Sequence, residues 1–219
     1  MPSQPSQTVE DYLKQILALQ GEGEATVGDL ARHLRVTPGT VTTMIKRLAE
    51  QKLVTSKRYG GIRLTAKGER LALAVLRRHR LIETFLVQTL GFDWSEVHDE
   101  AERLEHAMSD RLLDRIDEFL GRPDVDPHGD PIPTAKGALA DRRLIPLGAC
   151  RPGMRTRIGR ILDQDASFLR FVEESGLKPG EPITIESTDA NADALVVTAP
   201  TGRRVTLSTR AASKILVER

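Results

Sequence analysis

Residues 97–109 read Val97-His-Asp-Glu-Ala-Glu-Arg-Leu-Glu-His-Ala-Met-Ser109. At ~100° per residue, His98, Glu102, Glu105 and His106 fall within about 100° of one another on a helix wall. Val97, Ala101, Leu104, Met108 and Leu112 form a separate apolar stripe, so one side of the helix packs while the wall beside it presents two imidazoles and two carboxylates. Carboxylates gathered on one face repel unless water or a cation lies between them. A solvated acidic face that includes histidine is the plain alternative; four ligand-type residues in one arc favour a metal. The helix is expected to run to about Leu120.

The preceding segment, residues 66–90, reads as a long helix with Leu71, Val75, Leu76, Ile82, Phe85, Leu86 and Leu90 available for packing. It carries His79 and Glu83 four residues apart, on one face and within reach of one ion, although a surface pair has the same spacing. Gly91 ends this helix. Residues 121–133, rich in Gly, Pro and Asp, read as a loop containing Asp126-Pro-His128-Gly.

Toward the N-terminus, Thr8 is the expected cap of a helix that packs Val9, Tyr12, Leu13, Ile16 and Leu17. Asp11, three residues on, has the spacing of the acidic member of a capping arrangement. Thr26 caps a short second helix, and Thr37 with Pro38 opens a third that runs through Val41, Met44, Ile45 and Leu48. Two short helices joined by a brief turn make a helix-turn-helix. Residues 53–65 read as two β segments around Gly60-Gly61, a basic hairpin that completes a winged helix. The expected DNA contacts are Thr37, Pro38, Gly39, Thr40, Thr42, Thr43, Lys46 and Arg47 on the third helix and Lys57, Arg58 and Tyr59 on the wing.

The charge pattern agrees with this division. Net charge is +1, but residues 30–65 hold eight Lys or Arg against one acid, whereas residues 93–118 hold ten acids against three bases. One part suits a polyanion and the other suits cations. From about Arg151 the pattern changes to five short strands (156–162, 182–187, 194–199, 204–207 and 215–218) with one helical interruption at 166–175, a small β-barrel. Residues 134–150 read as an irregular linker. The fold class is therefore mainly α with a small β part, in three domains: 1–65, 66–145 and 146–219. No apolar run approaches the ~20 residues of a membrane span, and the single Cys150 matches no zinc spacing, so a cytoplasmic location is expected.

The winged helix, the His79-x-x-x-Glu83 helix and the motif from His98 to His106 together resemble the diphtheria toxin repressor family of metal-dependent bacterial transcriptional repressors, over the whole chain and including a C-terminal SH3-like barrel. The resemblance implies one metal position formed by Asp11, Glu102, Glu105 and His106, and a nearby one formed by His79, Glu83 and His98. It makes Asp126, His128 and Asp165 further candidate ligands, since the linker and barrel of long members contribute some. It also implies a homodimer on a double-stranded operator. Iron-responsive members carry Met and Cys where this chain has Asp11 and Glu102; carboxylates belong to the manganese-responsive branch and suit the harder Mn²⁺, with Fe²⁺ the alternative and other divalent transition metals able to substitute. One acidic position of some manganese-type members is Lys14 here.

Two other readings compete. A di-metal enzyme would use Glu-x-x-His pairs, but Arg103 stands three residues before His106 and no His-Glu-x-x-His occurs. A winged-helix regulator could instead sense a small molecule in its barrel, the acidic helix being structural.

Overall fold

The computed structural model describes residues 5–56 and 61–219, and it divides into two compact units, residues up to 79 with 133–138, and residues 80–132 with 139–219. In the first unit, α1 (Gln7–Glu22), α2 (Val27–His33) and α3 (Pro38–Glu50) precede a two-stranded ribbon of β1 (Val54–Ser56) and β2 (Ile62–Leu64). Val9, Tyr12, Leu13 and Ile16 of α1 meet Leu30 of α2, Val41, Ile45 and Leu48 of α3, and Ile62 of β2 in one buried cluster. The spacing predicts this apolar face of α1 but misplaces its start. The helix begins at Gln7 behind Ser6, Asp11 lies in its second turn, and the acid of the first turn is Glu10, paired with Arg78 at 3.5 Å.

The helix-turn-helix follows its caps. Thr26 accepts from Asp29 N (3.1 Å), and Thr37 accepts from Thr40 N (3.2 Å) with Pro38 at the first position of α3. Arg35, at φ 53°, makes the turn between them. Lys57, Arg58 and Tyr59 lie outside the described residues.

The long helix α4 (Ala66–Leu90) is followed by α5 (Val97–Glu105) and α6 (Asp110–Phe119). The single helix expected over 97–120 is therefore two. Ser109 caps α6 by accepting from Leu112 N (3.3 Å), so its hydroxyl replaces the helical bond that continuation would require. The apolar stripe is interrupted with it: Val97 and Ala101 pack with Ile82 and Leu86, whereas Leu104 and Leu112 are exposed.

The remainder is a six-stranded antiparallel sheet, SH3-like, in the order β3-β8-β4-β5-β6-β7: β3 (Leu144–Pro146), β4 (Arg155–Ile161), β5 (Pro182–Asp189), β6 (Ala194–Thr198), β7 (Arg204–Ser208) and β8 (Ile215–Glu218). Two short helices, α7 (Ala166–Glu174) and α8 (Thr209–Ser213), accompany it. Five of these strands match the sequence expectation. The sixth, β3, falls inside the expected linker, where three residues gain strand geometry from pairing with β8. Ile158, Ile161, Ile183, Val197, Leu207 and Ile215 form its core, joined by Trp94 from the α4–α5 connection.

Gly68 in α4 faces the chain just before β1, and a Cβ there would lie 2.0 Å from the Leu53 carbonyl oxygen. Gly68→Ala should lower stability by about 1–3 kcal/mol, measured by urea unfolding, because backbone must move to admit the methyl. An unchanged midpoint would show that this approach is not tight.

Candidate metal centre

Four carboxylates of the second unit are almost out of water: Glu83 is 1% exposed, Glu105 0%, Asp126 4% and Asp130 3%. Burying an unpaired carboxylate costs several kcal/mol, so each should have a positive neighbour or a donor at hand. α4 places Glu83 one turn after His79, also buried. The Glu83 carboxylate lies 3.2 Å from His98 Nδ1 on α5. It also offers an oxygen within 4.8 Å of ligand atoms of Asp126 and His128.

The last turn of α5 builds a second cluster. Glu102, Glu105 and His106 each present one ligand atom within 4.8 Å of the others, and His106 Nε2 lies 3.2 Å from Glu105 Oε1. The four residues read onto one wall of a helix thus divide. His98 turns to Glu83, and the other three converge at the end of α5, with His98 Nε2 still 3.7 Å from Glu102 Oε1. Asp11 is half-buried on α1 of the first unit.

The loop after α6 folds around Asp126. Its Oδ1 accepts from His128 N and Asp130 N, both at 2.9 Å, which leaves Oδ2 facing the Arg80 Nε at 3.5 Å. Burial, then the charges of Asp130 and Glu83, push the Asp126 carboxyl well above the usual carboxylate range, against the pull of Arg80. His128 stacks on Trp94 (centroids 5.4 Å, interplanar 19°), and its Nε2 lies 2.9 Å from the Trp94 carbonyl oxygen. Nε2 is therefore the donor to that carbonyl, and in the neutral ring this leaves the lone pair on Nδ1. Nδ1 is buried and has no hydrogen-bond partner among the described residues. Carboxylates and a bare imidazole nitrogen at this range fit a divalent ion of intermediate hardness.

Asp165 is used otherwise. It is exposed and caps α7, accepting from Ser167 N (3.0 Å) and Phe168 N (3.1 Å), and the Ser167 hydroxyl foremost lowers its pKa. Among the described residues it joins neither cluster. Sequence reading misses Arg80, Asp130 and Arg160, whose ion pairs join α4, the loop and β4. The only trace in the sequence is the basic run Arg77-Arg78-His79-Arg80. On α3, Thr37, Pro38, Gly39, Thr40, Thr42, Thr43, Lys46 and Arg47 are all exposed. Among the described residues no helix is long and apolar enough to cross a membrane.

A helix-turn-helix with a hairpin beside it, carried on a chain with clustered metal-type ligands, defines a winged-helix DNA-binding regulator. Comparison narrows the class. Residues 5–62 match the iron dependent repressor N-terminal DNA binding domain, residues 65–134 the iron dependent repressor metal binding and dimerisation domain, and residues 145–219 the FeoA domain. The chain is 30% identical over 225 residues to the iron-dependent repressor IdeR of Mycobacterium bovis, covering 97% of each. It is 34% identical over 126 residues to the HTH-type transcriptional regulator MntR of Lysinibacillus sphaericus, across 55% of this chain and 90% of that one. A solved structure of a manganese-dependent transcriptional repressor in complex with manganese superposes with a TM-score of 0.88 at 42% identity, over 95% of this chain and 98% of that one. The chain belongs to the diphtheria toxin repressor family: it is a metal-dependent transcriptional repressor and not an enzyme.

The raised Asp126 pKa has a consequence for the metal-free protein. Between the ordinary carboxylate range and the raised value, the folded state binds more protons than the unfolded one. Stability from this group therefore falls as pH rises through that window. Metal-free Asp126→Asn should melt higher than the native chain at pH 8, with the gap closing on acidification. A lower melting temperature at pH 8 would mean that Arg80 outweighs burial.

Proposed function

We propose that this repressor is manganese-responsive, with two neighbouring ion positions that control its grip on DNA. The first is the set implied by the resemblance, Asp11 with Glu102, Glu105 and His106; the second is His79, Glu83 and His98, with Asp126 and His128 as further donors. Asp165 is left out, since its carboxylate serves the amides of α7. The observation that carries the reading is the donor chemistry: carboxylate and imidazole throughout, with no thiol or thioether among these residues. Fe²⁺ is the second reading, favoured by the likeness to IdeR.

A divalent ion would be held by these carboxylates and imidazoles together. An ion that binds the DNA-competent arrangement more tightly shifts the population toward it. His106 and His98 would each donate through a neutral ring nitrogen. The winged helix, the helical segment and the SH3-like part then act as three domains, residues 1–65, 66–145 and 146–219. Leu90 (57% exposed), Leu112 (48%) and Phe119 (68%) give α4 and α6 an apolar surface suited to a homodimer. Such a dimer sets two copies of α3 about one duplex turn, ~34 Å, apart, each in a major groove. The location in keeping with this work is the cytoplasm.

Two experiments test the reading. Operator affinity should rise with Mn²⁺ and collapse on chelation, and Glu105→Gln should remove the metal response while leaving the fold intact by circular dichroism. Full operator affinity in the chelated protein would sink the proposal. Lys46→Ala should weaken operator binding and reduce its salt dependence by about one phosphate contact; an unchanged slope would place Lys46 off the interface.

A further inference from the structure

Asp126 has one oxygen committed and one to give. Oδ1 is engaged by the loop amides of His128 and Asp130, so Oδ2 is the atom available to a cation. Arg80 faces that oxygen, its Nε 3.5 Å away, long for a charge-assisted bond. The rest of that guanidinium is held elsewhere: Nη2 donates to Asp130 Oδ1 at 3.0 Å and Nη1 to the Pro131 carbonyl at 2.5 Å. Asp130 is itself braced from β4 by Arg160, whose Nη2 lies 2.5 Å from the same oxygen. The loop is pinned to that strand as well. Ile161 N donates to the His128 carbonyl at 2.9 Å, and a Cβ on Gly129 (φ 83°) would meet the Gly159 carbonyl oxygen at 2.2 Å.

We propose that Arg80 is a built-in competitor for the ion position at Glu83, Asp126 and His128, and that Asp130, braced by Arg160, holds it back. Neither Arg80 nor Asp130 ligates; both act through Asp126 and are positioning residues. Asp130 spends the guanidinium's charge, so Asp126 Oδ2 faces a tethered cation that does not close on it. Remove the charge of Asp130, and Asp126 becomes the carboxylate that Arg80 pairs with, which an incoming ion must displace. Remove Arg80, and the buried carboxylates lose their internal counter-charge and take a divalent ion more tightly. The inference rests on the proposed reading of this cluster as an ion position.

The test is Mn²⁺ binding to the metal-free full-length protein, followed by the electron paramagnetic resonance signal of free Mn²⁺, for the native chain, Asp130→Asn, Arg80→Gln and His128→Ala. Asn preserves the size of Asp130 and its acceptor oxygen. Asp130→Asn should weaken the ion position containing His128 by about tenfold, and Arg80→Gln should tighten it by a similar factor. Thermal unfolding of the metal-free proteins separates folding from binding: both variants are expected to melt lower, although their affinities move in opposite directions. A purely structural clamp would weaken binding in both, and that result, or no change in either, overturns the proposal. If Asp130→Asn does not fold, Arg80→Gln decides alone, since lowered or unchanged affinity contradicts competition. If His128→Ala leaves Mn²⁺ uptake unaltered, the reading of the cluster as an ion position fails, and the competition falls with it.

Discussion

A carboxylate removed from water must find positive charge or give up its own, and the second unit of this repressor is arranged around that demand. Glu83, Glu105, Asp126 and Asp130 are all buried there. Asp130 is satisfied by two guanidiniums from different elements. Glu83 and Glu105 have imidazoles beside them, which bring full positive charge only when protonated. Asp126 has loop amides and a distant Arg80. Asp130 thus belongs to an ion-pair network that ties α4, the loop and β4 together, whereas Glu83, Asp126 and Glu105 lie among imidazoles and loop amides.

What could be read from the chain follows the range of each interaction. Thr26 and Thr37 cap their helices because the bond spans three residues, a distance that sequence spacing displays directly. The apolar face of α1 and most barrel strands were visible for the same reason. Ser109 carried an equally local signal, but the apolar positions Leu104, Met108 and Leu112 continue in helical register across it, and periodicity outweighed the cap. The strand β3 depends on β8, some seventy residues away, so nothing in its own three residues announces it. Arg80, Asp130 and Arg160 are likewise separated by fifty and thirty residues, and charged residues at such distances have no spacing rule. The individual ligand types stood out early, while the way His98 parts company with Glu105 and His106 required the end of α5 to be seen.

The SH3-like part also gains a physical connection to the cluster of Glu83, Asp126 and His128. β4 carries Arg160 and receives the loop that holds Asp126 and His128, so any rearrangement of that loop strains the strand. Close-packed contacts of this kind move between discrete arrangements and do not deform smoothly. The barrel is therefore in a position to bias the loop, and the loop the barrel, with the same coupling in each direction.

Trp94 is the single tryptophan of the chain, and its indole lies face to face with the His128 ring, with its Nε1 donating to Glu173 at 3.0 Å. Its emission comes from one known place, in contact with a side chain that belongs to one cluster and not the other. The protein thereby carries an internal lamp: a paramagnetic ion near His128 would darken it at short range, whereas events at the far end of α5 have no such direct neighbour to speak through. Filling of the two proposed positions could then be told apart by light alone, without a label attached to the molecule.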